Sequence, residues 1–396
     1  MLLKKCCKIL SGFAFKSSLF NSENKGIPIV RIRDVGETKS NTFYSGSYSE
    51  EYVLNNGDII IGMDGQFKLA IWNGGNALLN QRVCKLTPNN KLIDKRFLSH
   101  ILPKSLKEIE DKTPFVTVKH LSVKSINEIE LPPYNLATQK HIADILDAAD
   151  ALRRKTQQIV DSYDELAQSL FLEMFGDPVS NPKRWELKTI ESLIPRKKGA
   201  IKRGPFGGAL KKEIFVETGY LVYEQFHALN ADFNFERYYI TEEKYNELIA
   251  FEVHPGDIII SCSGIYLGKL AIVPENAKKG IINQALLKVT LDQNKMTNTL
   301  FIFIFTNKNF KSLYFDSNRG AGIPNFPPME EFKKFKFIAP PLDLQNQFAE
   351  NIALIEQQKE LAKQSLAESE NLFNALLQKA FKGELVPEPQ PAEQAV

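Results

Sequence analysis

The chain has 396 residues, 43% hydrophobic and 24% charged, a balance that suits two or three folded domains and excludes a largely disordered protein. Its four cysteines, Cys6, Cys7, Cys84 and Cys262, form no CxxC pair and no disulfide framework. Lys4, Lys5 and Lys8 interrupt the apolar start, and no later run reaches the ~20 apolar residues of a membrane span. Neither a signal peptide nor a transmembrane anchor is expected, and a cytoplasmic location is. The net charge of +3 hides an alternation. Residues 1–135 carry 19 Lys+Arg against 13 Asp+Glu, and residues 136–180 carry 4 against 8. Residues 181–341 carry 23 against 17, and 342–396 carry 4 against 9. Two basic blocks suit a phosphate-rich partner, and the acidic blocks between them would repel one.

In the first block, "IPIVRIRDV" places Arg31 and Arg33 two apart on a predicted strand, hence on one face. "NNGDIIIGMDGQFKLAIW", from Asn55, reads as a turn, a buried β-branched strand, a tight loop and a returning strand. "LLNQRVCKL" then offers Asn80, Gln81 and Arg82, residue types able to address base edges. "PPYNLATQ" follows at Pro132. The 40 residues from Leu136 to Phe175 contain no Gly or Pro, which predicts a helix roughly 60 Å long at ~1.5 Å per residue. Along it Ile145, Ala149, Leu152, polar Thr156, Ile159, Tyr163, Leu166 and Leu170 alternate spacings of four and three. That is the seam of a coiled coil. "FGDPVSNP" ends the helix.

The second block opens with "RKKGAIKRGPFGGALKK", where Arg196, Lys197, Lys198, Lys202, Arg203, Lys211 and Lys212 crowd around Phe206 as a surface for phosphate contact. "HPGDIIISCSGIYLGKLAIV", from His254, echoes the strand-loop-strand stretch above, and Asn283–Gln284 echoes Asn80–Gln81. "PPLDLQNQ" at Pro340 repeats PPxxLxxQ 208 residues after Pro132. A second seam follows: Phe348, Ile352, Ile355, Lys359, Ala362, Leu366, Ser369, Phe373, Leu376 and Ala380. The expected organisation is α+β, with a globule at 1–135, a long helix and its exit turn at 136–180, a second globule at 181–341, a second long helix at 342–383 and a disordered tail at 384–396. A tandem duplication of this kind pairs the helices antiparallel about a pseudo-two-fold axis. The helix-pairing residues are taken as Ile145, Leu152, Ile159, Leu166 and Leu170 with Ile352, Ile355, Leu366, Phe373 and Leu376.

Motifs for chemistry are incomplete. "PPY" at Pro132–Tyr134 has Leu131 where an amino-methyltransferase has the Asn or Asp that holds its target. Gly199-x4-Gly204 has Pro205 where a P-loop has its lysine. The five histidines are scattered, with no zinc spacing. No catalytic residue, metal site or cofactor site is expected in this chain. The residues expected at DNA are Lys16, Arg31, Arg33, Gln66, Arg82, Lys197, Lys198, Lys202, Arg203, Lys211, Lys212, Lys269 and Arg319.

The doubled set of "GIPIVRIRDV", "GDIIIGMDGQFKLAIW", "LLNQRVCKL" and "LPPYNLATQKHIADIL" with "GPFGGALKKE", "GDIIIS", "IPNF" and "PPLDLQNQ" resembles the specificity subunit of Type I DNA restriction–modification systems, in order and over nearly the whole chain. The resemblance implies two target-recognition domains that each read half of a split, asymmetric site in double-stranded DNA. It implies docking of two modification subunits, which carry adenosylmethionine and adenine N6-methylation, and of restriction subunits that use ATP and magnesium. Two other readings stand beside it: the recognition half of a fused restriction–methylation enzyme, and a coiled-coil scaffold without DNA.

Overall fold

The structure, a computed structural model, describes residues 1–114, 118–206, 208–315 and 325–386. Arg319 and the tail from residue 387 lie outside the described residues. The chain divides into two compact units, Met1–Gln158 together with the chain from Lys363 onward, and Ile159–Ala362. Each unit therefore contains one globule and half of each long helix, Leu136–Phe175 and Leu342–Lys382.

The two globules share one plan. In the first, a four-stranded antiparallel sheet runs in the order Cys7–Ser11, Val83–Pro88, Ile59–Gly62, Leu69–Ile71. In the second the order is Ile201–Arg203, Leu286–Val289, Ile258–Ser261, Leu270–Ile272. Beside each lies a second sheet built around a parallel pair, five strands with Ile27–Val30 beside Ala77–Leu79 in the first globule and three with Tyr220–Tyr223 beside Gly280–Ile282 in the second. The sheets explain why "GDIII" is a continuous apolar run. Ile59 and Ile61 enter the core that holds the helix Lys95–Lys112, whereas Ile60 packs with Val30, Trp72 and Leu79. Ile258 and Ile260 are split from Ile259 in the same way. A strand covered on both faces has no polar side to alternate with.

Three echoes in the sequence are physical couplings. In each globule the aspartate of the GD pair accepts the N–H of the residue three back, Asn55 to Asp58 and His254 to Asp257 at 2.9 Å each. The same carboxylate pairs with a lysine of the neighbouring strand, Lys85 at 2.9 Å and the buried Lys288 at 3.8 Å. Burial holds the Lys288 ammonium below the usual lysine value, partly offset by the Asp257 charge. The Asn-Gln pairs meet the glycines of "SGFAF" and "RGPFGG". A Cβ on Gly12 would stand 2.0 Å from the Asn80 carbonyl oxygen, and one on Gly204 1.9 Å from that of Asn283. Only glycine lets the two backbones approach this closely.

The third coupling joins each globule to its helix. Gln139 is fully buried. Its Oε1 accepts the N–H of Asp94 (2.8 Å), and its Nε2 donates to the carbonyls of Leu92 (3.2 Å) and Tyr134 (2.8 Å). Gln345 does the same with the N–H of Thr297 (2.9 Å) and the carbonyls of Lys295 (3.2 Å) and Pro340 (2.8 Å). Asp94 and Thr297 are the N-caps of the globules' own helices, so each glutamine ties a long helix to the start of a short one. The equivalent stretches are thus Leu136–Gln139 and Leu342–Gln345, which begin the two helices. The PPxxLxxQ alignment instead matches Gln139 to Gln347, which is exposed. The prolines have slipped by two residues relative to the helix.

Within each unit the helix halves meet. In the first, Ala380 joins Ile142, Ala143 and Leu146 in the core, with Phe373, Leu376 and Leu377 packed against it. The Tyr134 hydroxyl donates to the Ala380 carbonyl at 2.7 Å, and the Arg153 guanidinium lies over the Phe373 ring. In the second, Phe171 and Phe175 pack on Phe348, and Lys359 pairs with Asp164 at 2.5 Å. The early part of one helix meets the late part of the other in both units.

On Leu342–Lys382 the seam faces inward, Ile352, Ile355, Leu366, Phe373 and Leu376 included. On Leu136–Phe175 it is displaced. Leu152, Ile159 and Leu166 are 50%, 43% and 50% exposed, and the buried line runs Ile142, Leu146, Ala149, Thr156, Val160, Ala167, Phe171. Alternating steps of four and three fit two phasings that share Ala149, Thr156, Tyr163 and Leu170. The sequence reading follows the larger side chains, and the structure buries the smaller ones. Ile145 and Leu170 are half-buried.

Two expectations follow for stability. Gln345→Leu should cost about 3 kcal/mol, because a buried N–H and two carbonyls lose their partner, whereas Gln347→Leu should change stability by less than about 0.5 kcal/mol. Urea titration of both variants checks this. Val160→Asp buries an unpaired carboxylate and should lower the melting temperature by several degrees, while Leu152→Asp, on the outward face, should leave it unchanged.

Candidate nucleic-acid interface

The loop that follows the central strand of each globule carries the polar groups. In the first unit this is Met63–Lys68. The Met63 carbonyl accepts the Leu121 N–H at 2.7 Å, and the Gly65 N–H donates to Lys119 at 2.9 Å, which fixes His120 opposite Asp64. The Asp64 carboxylate binds Arg82 Nη1 at 2.6 Å through one oxygen and His120 Nδ1 at 2.7 Å through the other. Arg82 itself has φ 73°, the sharp turn that brings its side chain back over Asp64. Arg33, Asp64, Gln66 and Lys68 line one open cleft with Ile32 and Gly62. Arg33, Gln66 and Arg82 are therefore gathered at one place.

The second unit builds the same joint from other residues. The Cys262 carbonyl accepts the Phe326 N–H at 2.9 Å, and Ser263 bridges to Asn325 as Asp64 does to His120. Asn325 Oδ1 accepts Arg203 Nη2 at 2.9 Å, and the Arg203 guanidinium lies over the ring of Phe206, which is 65% exposed. Arg203 Nε is buried without a partner among the described residues. Gln225 Nε2 donates to Ser261 Oγ (2.6 Å) and the Ser263 carbonyl (2.8 Å). An arginine and amides thus stand where the first unit has an arginine, a carboxylate and an imidazole.

The remaining predicted residues are placed differently. Arg31 and Arg33 do not share a strand. The strand stops at Val30 because the Asp34 carboxylate accepts the Arg31 N–H at 2.9 Å and starts a 3-10 turn, Ile32–Asp34. Arg31 lies over the Phe20 ring and Arg33 donates to Thr42 Oγ1 at 3.0 Å. Lys202 and Arg203 are neighbours on a strand and diverge, Lys202 over the Phe251 ring. Lys16, Lys197, Lys198, Lys211 and Lys212 are exposed loop or turn residues outside these clusters. Lys269 is exposed at the end of the second unit's loop. Lys311 lies below its usual protonation range, through burial first and the Lys269 charge second. Asp64, His120, Gln225, Ser263 and Asn325 are absent from the sequence-based set. "IPNF" pointed at Asn325 only as a family motif.

Among the described residues no group of three or more His, Cys, Asp or Glu is placed to hold a metal ion. Burial pushes the Cys84 and Cys262 thiols up to about 12, far from a reactive thiolate. Among the described residues no helix is long and apolar enough to cross a membrane. What the clusters can do is donate and accept hydrogen bonds from fixed positions, with basic groups around them.

Residues 2–161 and 182–371 each match the model of the Type I restriction modification DNA specificity domain. The chain is 28% identical to the Type I restriction enzyme EcoBI specificity subunit of Escherichia coli, covering 95% of this chain and 84% of that one. It is 21% identical to the MjaVIII specificity subunit of Methanocaldococcus jannaschii, over 66% and 64% of the two chains. Its fold resembles the S subunit of a Type I restriction-modification system from M. genitalium, with a TM-score of 0.52 at 15% identity over 98% and 96% of the chains. A chain solved in work on the assembly and conformational transition of the type I R-M system gives 0.55 at 16% over 97% of each.

Asp64 places a carboxylate between two cationic groups on a surface that otherwise suits phosphate. Asp64→Asn should strengthen binding to duplex of any sequence several-fold at low salt, and narrow the preference for a specific site because Arg82 loses its fixed position. Fluorescence anisotropy with specific and scrambled duplexes over a salt series measures both effects.

Proposed function

The chain belongs to the family of Type I restriction–modification DNA specificity proteins, and on that premise we propose that it reads a bipartite, asymmetric DNA site, one half with each unit. The observation that carries this reading is the repeated joint. Two globules of one plan present an arginine cluster at the same point on the same scaffold, with different residues around it. A duplicated reader with equal clusters would read a repeated half-site, and unequal clusters read two different ones.

Affinity and selectivity reside in different groups. The exposed Lys197, Lys198, Lys211 and Lys212 supply sequence-independent attraction for phosphate, and the clusters at Arg82 and Arg203 address base edges. The long helices offer a docking surface to two modification subunits. Adenosylmethionine and adenine N6-methylation reside on those subunits, and ATP and magnesium on the restriction subunits that join for cleavage in the cytoplasm. This chain contributes no catalytic group. Purified alone with adenosylmethionine and Mg²⁺, it should leave DNA unmodified and uncut.

Methylation mapping in cells that express the chain with its modification subunits should return a split motif with two different halves. A continuous or palindromic motif would overturn the assignment of one half to each unit. Lys197→Ala combined with Lys198→Ala should weaken all duplexes alike and reduce the slope of log K against log salt by about 2. Arg203→Ala should instead relax one half of the mapped motif. If the lysine pair altered the motif and Arg203 altered only the salt slope, the roles given to them would be reversed.

A further inference from the structure

The loop between Ile258–Ser261 and Leu270–Ile272 ends in a short 3-10 turn, Gly264–Tyr266, whose apolar tip has no counterpart in the first unit. Ile265 is 86% exposed and Tyr266 about half. The corresponding loop of the first unit carries Gly65 and Gln66. An isoleucine held out into water gains nothing for the fold, and set beside hydrogen-bonding groups it offers an aliphatic contact to the partner those groups bind. The surroundings identify that partner by charge. Ser263, two residues before Ile265, bridges to Asn325, which binds Arg203, and Lys269 closes the loop with Lys311 close enough to feel its charge.

A basic surface that reads base edges meets mostly hydrogen-bonding groups, against which an aliphatic side chain gains little. The major groove offers one aliphatic group on natural bases, the C5-methyl of thymine. We infer that Ile265 packs against a thymine methyl in the half-site read by the second unit, and that this contact selects a T·A pair there. The inference rests on the DNA-reading role proposed above.

The test uses the chain assembled with its modification subunits and duplexes carrying the mapped motif. Deoxyuridine, which lacks only the methyl, replaces each thymine of the second half-site in turn. At one position the substitution should weaken binding about fourfold, the worth of one buried methyl. Ile265→Ser should bind the thymine duplex as weakly as the parent binds the uracil duplex, with no further loss from uracil. Uracil tolerated everywhere, or a penalty that persists in Ile265→Ser, overturns the inference. So does a pattern in which Ile265→Ser changes DNA bending without sensitivity to uracil, which marks a wedge between base steps. Weakened assembly with unchanged site preference marks a protein contact and overturns it too. Failure of the parent complex to prefer its mapped motif over a scrambled duplex would instead overturn the DNA-reading role itself.

Discussion

A buried amide ties the first turn of each long helix to its globule. Gln139 and Gln345 each satisfy an N–H at the start of a short helix and two carbonyls of the connecting chain, and only an amide side chain combines an acceptor with two donors on one uncharged group. A glutamate would bring a charge into the core, and a leucine would strand three backbone groups. Because the amide holds the first turn of the helix, it sets which face of that turn packs on the globule.

Around that joint the two units keep their internal constraints and differ where no constraint acts. The GD aspartate with its strand lysine, the glycine against the Asn carbonyl and the glutamine clamp occur in both. The backbone of the loop after the central strand is held in both units, at its first residue by the N–H of Leu121 or Phe326. On that backbone the side chains are free to vary. Asp64 faces His120 in one unit and Ser263 faces Asn325 in the other without any change in the sheets. A scaffold of this kind can change what it reads while its cores stay the same.

The long helices were legible because forty residues without Gly or Pro leave little alternative, and the doubled motifs announced the duplication. The phase of the first seam was not legible. Steps of four and three fit two lines of residues, and only close approach of the partner decides for Val160 and Ala167 over Ile159 and Leu166. Matching prolines likewise hid the true equivalence of Gln139 and Gln345, because the turn before a helix tolerates a change in length that the helix does not. Charge was visible at Arg82 and Arg203, but their partners were not. Asp64 lies 18 residues from Arg82, His120 lies 56 from Asp64, and Asn325 lies 122 from Arg203. Such pairings arise from folding and leave no local pattern.

The membership of the chain beyond Lys363 in the first unit has a consequence for the order of events at the ribosome. Phe373, Leu376, Leu377, Ala380, Phe381 and Leu385 complete a core whose other residues all precede residue 147. At the usual 5–20 residues per second, the intervening unit, Ile159–Ala362, takes on the order of 10–40 s to emerge. The unit made first is finished last, and the unit in the middle of the chain can close on itself before it. Throughout that interval the part of this core that Phe373, Leu376, Leu377 and Ala380 cover stays open to chaperones or to the matching segment of a neighbouring nascent chain.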